Sequence, residues 1–145
     1  MFSGEFHYKI DAKGRVSVPA QFKNASDGSF FVTRGQDGNL LVYDEAGFRR
    51  RSLEIEKQYG GGKEARSVKR MFFRGGPLQE CDSHNRIRIP VQLVEFAAID
   101  KEVVIIGMNS HFEIWSKERW EEQEEYDIGN YCEMRSDETA REEVE

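Results

Sequence analysis

Cysteine, proline and histidine are scarce in this 145-residue chain, with two, three and three copies. Two cysteines, Cys81 and Cys132, are too few for a disulfide framework, and the default for such a chain is a reducing cytoplasm. Cys81-x-x-His84 is a single ligand pair, and His7, His111 and Cys132 supply no second pair at zinc spacing, so no metal or cofactor is expected. No run of eighteen apolar residues occurs, and the opening MFSGEFHYKID alternates like an amphipathic strand, so neither export nor a membrane span is expected. A Walker-type phosphate loop is missing too. Gly60-Gly61-Gly62 is followed by no Lys-Ser or Lys-Thr and reads as a break between helices. No nucleophile with an attendant base is visible, and the two acids that stand out, Asp11 and Asp82, each have an arginine to keep them ionised; the chain does not read as an enzyme.

What the sequence does contain is length enough for one domain or two small ones sharing a core, with 38% hydrophobic and 12% aromatic residues to fill it. The formal charge of −6 is unevenly spread. From Glu118 to Glu145 twelve acids face only Arg119, Arg135 and Arg141, which leaves residues 1–117 at a net +3. Residues 49–74 hold nine Lys or Arg, including Arg49, Arg50 and Arg51; the bland account of that run is a solvated helical face, and phosphate contact is the weaker alternative.

An internal repeat governs the architecture. Asp11-x-x-x-Arg15-Val-Ser-Val-Pro19-Ala-Gln-Phe22 lies over Asp82-x-x-x-Arg86-Ile-Arg-Ile-Pro90-Val-Gln-Leu93 for twelve positions at a constant offset of 71. Phe6, Tyr8 and Ile10 alternate with His7 and Lys9 as in a half-buried strand, Lys13-Gly14 forms a turn, and Arg15 to Val18 return as a second strand. Val16, Val18, Ile87 and Ile89 are expected inward, with Arg15, Ser17, Arg86 and Arg88 on the opposite face. Pro19 and Pro90 each suit the start of a short helix, and a second hairpin completes each unit, Phe30 to Tyr43 and Val103 to Trp115. Asp44 and Ser116 read as helix N-caps, with a further helix from about Glu64 to Phe73, and Trp115 and Trp120 are expected to pack strand against helix. Beyond about Tyr126 the apolar periodicity fades, so residues 127–145 are expected to be a disordered or partner-dependent acidic tail.

In the Asp-x-x-x-Arg turn the acid accepts backbone N–H groups and pairs with the arginine that starts the return strand, fixing the guanidinium. A structural pin alone needs no more than that. These turns also carry Lys9, Lys13 and Arg15 in one copy and His84, Asn85, Arg86 and Arg88 in the other, a set of donors suited to phosphates and guanine edges in a major groove.

Four motifs, MFSGEFHYKIDAKGRVSVPAQF, EARSVKRMFFRGGPLQECD, Asp82-x-x-x-Arg86-Ile-Arg-Ile-Pro90 and EVVIIGMNSHFEIWSKERW, give residues 1 to about 126 a resemblance to the MraZ family, built from two SpoVT/AbrB-like units. The resemblance implies an α+β fold in which residues 1–75 and 76–126 interlace into one swapped-hairpin β-barrel with helices outside. It also implies a cytoplasmic, nucleoid-associated transcriptional regulator, usually a repressor, that forms a homo-oligomeric ring. Its partner would be double-stranded DNA, bound at short direct repeats ahead of a division and cell-wall gene cluster that includes its own gene. By position, Asp11, Arg15, Asp82 and Arg86 are the motif residues, and Lys13 and Gly14 match the first turn; in the second, Asn85 stands where glycine is expected, with His84 before it. The rival within the same fold is an AbrB-like antitoxin whose acidic tail binds a toxin; such chains usually carry one copy of the unit, whereas here it is duplicated.

Overall fold

The computed structural model describes residues 1–144, with side chains described through Met134. In the first half, β1 (Glu5–Lys9), β2 (Arg15–Ser17), α1 (Ala20–Ala25), β3 (Ser29–Arg34) and β4 (Leu40–Asp44) are followed by α2 (Glu45–Gln58) and α3 (Lys63–Phe73). The second half repeats the order with β5 (Gln79–Glu80), β6 (Arg86–Arg88), α4 (Val91–Phe96), β7 (Glu102–Gly107), β8 (Phe112–Ser116) and α5 (Lys117–Val144).

The strands form a six-stranded antiparallel sheet in the order β1-β7-β8-β4-β3-β5 and a separate two-stranded ribbon, β2-β6. Hairpins β3–β4 and β7–β8 form as the alternation predicts. The expected β1–β2 hairpin does not. Its turn closes through Asp11 N to Arg15 O (3.0 Å) and Gly14 N to Asp11 O (3.0 Å), but β1 then pairs along its length with β7, and β2 pairs with β6. The first strand of each repeat is thus claimed by the other repeat, since β5 pairs with β3 to no more than two residues and β1 lies on β7 from Glu5 opposite Ile106 to Lys9 opposite Glu102. The pairing that β1 and β2 do not give each other is made across the repeats, β1 with β7 and β2 with β6.

Two apolar layers sandwich the sheet. Strands β3 and β7 are apolar on both faces, as buried strands are. On one side Phe30, Val32, Val42, Val103, Ile105 and Ile114 face Val16, Val18, Ile87 and Ile89 of the ribbon, with Phe22 of α1 and Leu93 of α4. The ribbon therefore closes the main core, and the four aliphatics are buried as the alternation requires. On the other side Phe31 and Tyr43 meet Ile55 of α2 and Phe72 of α3, with Phe48 at 4.1 Å ring centroid distance from Phe31.

Helix boundaries follow local chemistry. Asp44 caps α2, its Oδ1 accepting from Gly47 N (2.8 Å), and the Ser116 hydroxyl accepts from Arg119 N (3.2 Å) at the start of α5. Trp115 and Trp120 meet edge to face at 5.7 Å. Gly60, Gly61 and Gly62 separate α2 from α3 with open space around each. Helix α5 continues through residues 127–144, a segment that composition left as a disordered or partner-dependent tail. Its later turns carry exposed Tyr126, Ile128, Tyr131 and Met134, so apolar residues persist there, though too sparsely to register as a buried stripe.

Candidate nucleic-acid interface

The two turns are built alike, atom for atom. Asp11 Oδ1 accepts from the backbone N–H of Lys13 (3.0 Å) and Arg15 (2.8 Å), and Oδ2 accepts from Arg15 Nε (2.6 Å). Asp82 Oδ1 accepts from His84 N (2.8 Å) and Arg86 N (2.9 Å), and Oδ2 from Arg86 Nε (2.9 Å). Each carboxylate thus satisfies three donors, an Asx-turn extended by a charge-assisted bond. The Arg15 backbone N–H holds the Asp11 carboxyl below the usual carboxylate range, against some desolvation and with help from the Arg15 guanidinium and Lys13 N–H. At Asp82 desolvation pushes upward, but the N–H groups of Arg86 and His84 and the Arg86 guanidinium outweigh it and the carboxyl again sits low.

The turns lock to each other. Val18 N donates to Asn85 O (2.8 Å) and Ile89 N donates to Gly14 O (2.7 Å), a reciprocal pair about the Val16–Ile87 centre of the ribbon. Arg86 Nη1 also lies 3.7 Å from Asp11 Oδ2, so the acid of one turn feels the arginine of the other. Both arginines spend Nε on their own aspartate; among the described residues neither Nη of Arg15 has a hydrogen-bond partner, which leaves it two donor groups for an outside acceptor.

Lys13, Arg15, His84, Asn85, Arg86 and Arg88 are gathered on the two turns and the ribbon, with Arg15 directly opposite Arg88 in register. Lys13, His84 and Arg88 are exposed, while Arg15, Asn85 and Arg86 are half-buried. Lys9 is not on the ribbon: it ends β1, opposite Glu102. In the basic run of 49–74, three cations form ion pairs with acids of α2, Arg49–Glu45 (2.8 Å), Arg51–Glu54 (3.1 Å) and, from α3, Lys69–Glu56 (3.3 Å).

Both turn tips need left-handed backbone, φ +79° at Gly14 and +59° at Asn85. Asn85 tolerates it and gains a partner that sequence reasoning missed, Lys23 Nζ of α1, which donates to Asn85 Oδ1 (2.6 Å). The repeat held the signal. At the offset of 71, Gly14 answers to Asn85 and Lys23 answers to Val94, so the cation accompanies the turn that has a side chain at its tip. Gln79 was missed as well; its amide brackets the Arg88 backbone, Oε1 accepting from Arg88 N and Nε2 donating to Arg88 O, both at 2.8 Å.

A family model described as "MraZ protein, putative antitoxin-like" matches the chain twice, over residues 1–71 and 72–141. Curated relatives named "Transcriptional regulator MraZ" include one from Lachnoclostridium phytofermentans, 45% identical over 121 residues, covering 83% of this chain and 85% of the relative. Another, from Moorella thermoacetica, is 39% identical over 137 residues, covering 94% and 90%. A third, from Finegoldia magna, is 37% identical over 134 residues, covering 92% and 94%.

Proposed function

The chain belongs to the MraZ family, and from that membership we propose a transcriptional regulator that binds promoter DNA through its doubled Asp-x-x-x-Arg turn. The observation that carries the reading is the reciprocal pair of turns, in which Asp11 and Asp82 fix Arg15 and Arg86 through Nε while the ribbon bonds tie the two turns into one rigid unit. Guanidinium groups held in this way lose little further side-chain entropy on meeting a base edge or phosphate. Arg15 and Arg86 are assigned to bases, with Lys13, His84, Asn85 and Arg88 completing the contact surface; Lys9 is assigned to flanking phosphate. In the finer picture the interlaced strands and ribbon act as a swapped-hairpin barrel, and protomers join in a closed ring. The targets are short direct repeats upstream of a division and cell-wall gene cluster that includes the protein's own gene, and the usual outcome is repression. A ring turns weak binding at one repeat into tight binding at several, because each later contact is made at high effective concentration.

The test is fluorescence anisotropy on a duplex taken from the region just upstream of the gene, with size-exclusion light scattering in parallel. Arg15→Ala is expected to weaken binding by more than about tenfold at matched salt with the assembly unchanged. Unaltered promoter affinity in that variant overturns the assignment of the turn.

The helical course of α5 favours one second reading, an antitoxin-like protein that grips a partner with its C-terminal helix. Ile128, Tyr131 and Met134 recur every third residue on that helix and are 61%, 73% and 54% exposed. Truncation after Tyr126 separates the readings: full promoter binding and repression without residues 127–145 reserves the helix for another partner, and loss of assembly or DNA binding assigns it to the regulator itself.

A further inference from the structure

The tips of the two turns are unlike. Gly14 presents no side chain, and a Cβ there would stand 2.8 Å from the Ile89 carbonyl oxygen. Asn85 carries an amide, and Lys23, in the last turn of α1, donates from Nζ to its Oδ1 at 2.6 Å. A lysine ammonium has three donors and no acceptor, so it can hold only the oxygen end of an amide. Among the described residues Lys23 joins no ion pair with an acid, and its Nζ bonds to Asn85 alone. The Asn85 backbone is committed as well, its N–H to Asp82 O (3.0 Å) and its carbonyl to Val18 N (2.8 Å). What remains is Nδ2, which has no hydrogen-bond partner among the described residues and is not sealed from solvent. Val94 holds the position equivalent to Lys23 and packs against the main core, so the repeat itself does not require a cation there.

We propose that Lys23 is a positioning residue for base recognition: by holding Asn85 Oδ1, it leaves the tip of the second turn to present donors alone to the major groove. The inference rests on the DNA reading above. An asparagine free to use both ends of its amide pairs with adenine, donating to N7 and accepting from the N6 amino group. Here the ammonium occupies the accepting end, and an amino group brought to that oxygen would stand beside a cation. Guanine and thymine display only acceptors in the major groove, O6 and N7 or O4. Cytosine displays the N4 amino donor, and adenine mixes donor and acceptor. At the base met by Asn85 the protein therefore favours guanine or thymine over adenine and cytosine. The tip of the first turn, with glycine in that place, makes no such selection, so the two turns of one protomer read DNA unequally.

The test is competition anisotropy with the full-length protein at one salt concentration. The duplexes come from the region just upstream of the gene, with each base pair of one repeat replaced in turn by the other three. Asn85→Gly, whose backbone suits the positive φ, is expected to flatten the preference at one pair and so to locate it. At that pair the parent is expected to bind guanine or thymine about fivefold or more tighter than adenine or cytosine. Lys23→Met frees the amide to turn and is expected to raise adenine to at least equal standing there, while Lys23→Arg, another pure donor, stays closer to the parent. Loss of a phosphate-binding charge alone would weaken every duplex alike. Circular dichroism and light scattering check fold and assembly of each variant. No pair altered in Asn85→Gly, an unchanged or uniformly weakened preference profile in Lys23→Met, or a Lys23→Arg profile no closer to the parent overturns the proposal. Arg15→Ala is measured on the unaltered duplex: its loss of binding keeps the DNA reading standing when the Lys23 result fails, and its full binding removes that reading instead.

Discussion

Gly14→Ala tests whether the two turns are as tightly joined as their hydrogen bonds indicate. Gly14 sits at φ +79°, where an L side chain costs about 1–2 kcal/mol. A Cβ there would also stand 2.8 Å from the carbonyl oxygen of Ile89. That oxygen belongs to backbone, and its residue is pinned by the 2.7 Å bond from Ile89 N to Gly14 O, so relief requires loosening the contact between the halves. Adding a packing strain of about 1–3 kcal/mol gives a loss of about 2–5 kcal/mol. Asn85→Ala at the equivalent position keeps the same backbone without that collision and loses chiefly the Lys23 bond and asparagine's tolerance of the conformation, about 1–2 kcal/mol. The assay is guanidinium denaturation followed by circular dichroism at one protein concentration, comparing midpoints at equal slopes. A Gly14→Ala loss within about 0.5 kcal/mol of zero, or one smaller than that of Asn85→Ala, refutes the reasoning.

Phe22→Ala empties the meeting point of Phe2, Phe6 and Phe112, whose rings stand 5.0–5.3 Å from that of Phe22, and is expected to cost about 3–5 kcal/mol in the same denaturation assay. Asp44→Ala removes the α2 cap and is expected to cost about 1 kcal/mol, read as a lower midpoint with promoter affinity retained. Burial raises the Glu113 carboxyl above its ordinary range, only partly offset by the Trp115 N–H, so the folded protein holds that proton more tightly than the unfolded chain does. Its favourable share is therefore complete in acid and lost as pH rises through the folded value; Glu113→Gln is expected to gain in melting temperature over the parent between about pH 4 and pH 7. Asp11 and Asp82, both held low, work the other way: their contribution is present at neutral pH and lost as pH falls through their folded values, and the Asp82→Asn melting profile is expected to lose part of that acid dependence.

The sequence displayed the buried face of the ribbon, the two hairpins, the caps at Asp44 and Ser116 and the acid–arginine pairing because each is written within a few residues. Val16, Val18, Ile87 and Ile89 alternate in two short stretches, and Asp11 reaches Arg15 across a single turn. What failed had no local trace. Strand β1 has the alternation of any half-buried strand, and nothing in EFHYK distinguishes β7 from β2 as its partner; the choice follows from satisfying ladders over the whole sheet. Lys23 lies 62 residues from Asn85, and only comparison of the two repeats marks its position as the one that changes with the tip. In α5 the helix is not readable from composition, because acids on a long helix are compatible with helix propensity while supplying no apolar face from which to read it.

The interlacing changes what the repeat means. Division of the chain near residue 75 would leave β1 without β7, β3 without β5 and β2 without β6, exposing ladder edges and the apolar inner face of the ribbon together. Neither half can bury Val16 and Ile87 by itself, since each lies opposite the other. The two arginines are consequently fixed relative to one another by long-range contacts between the repeats, and Arg86 Nη1 approaches Asp11 across the in-register ribbon. A shift of one residue in that register would turn Val16 and Ile87 outward and bring Arg15 and Arg86 into the core. Burial of the aliphatics and presentation of the guanidinium groups are thus set by one structural choice, so a sequence that folds this core necessarily displays the doubled turn.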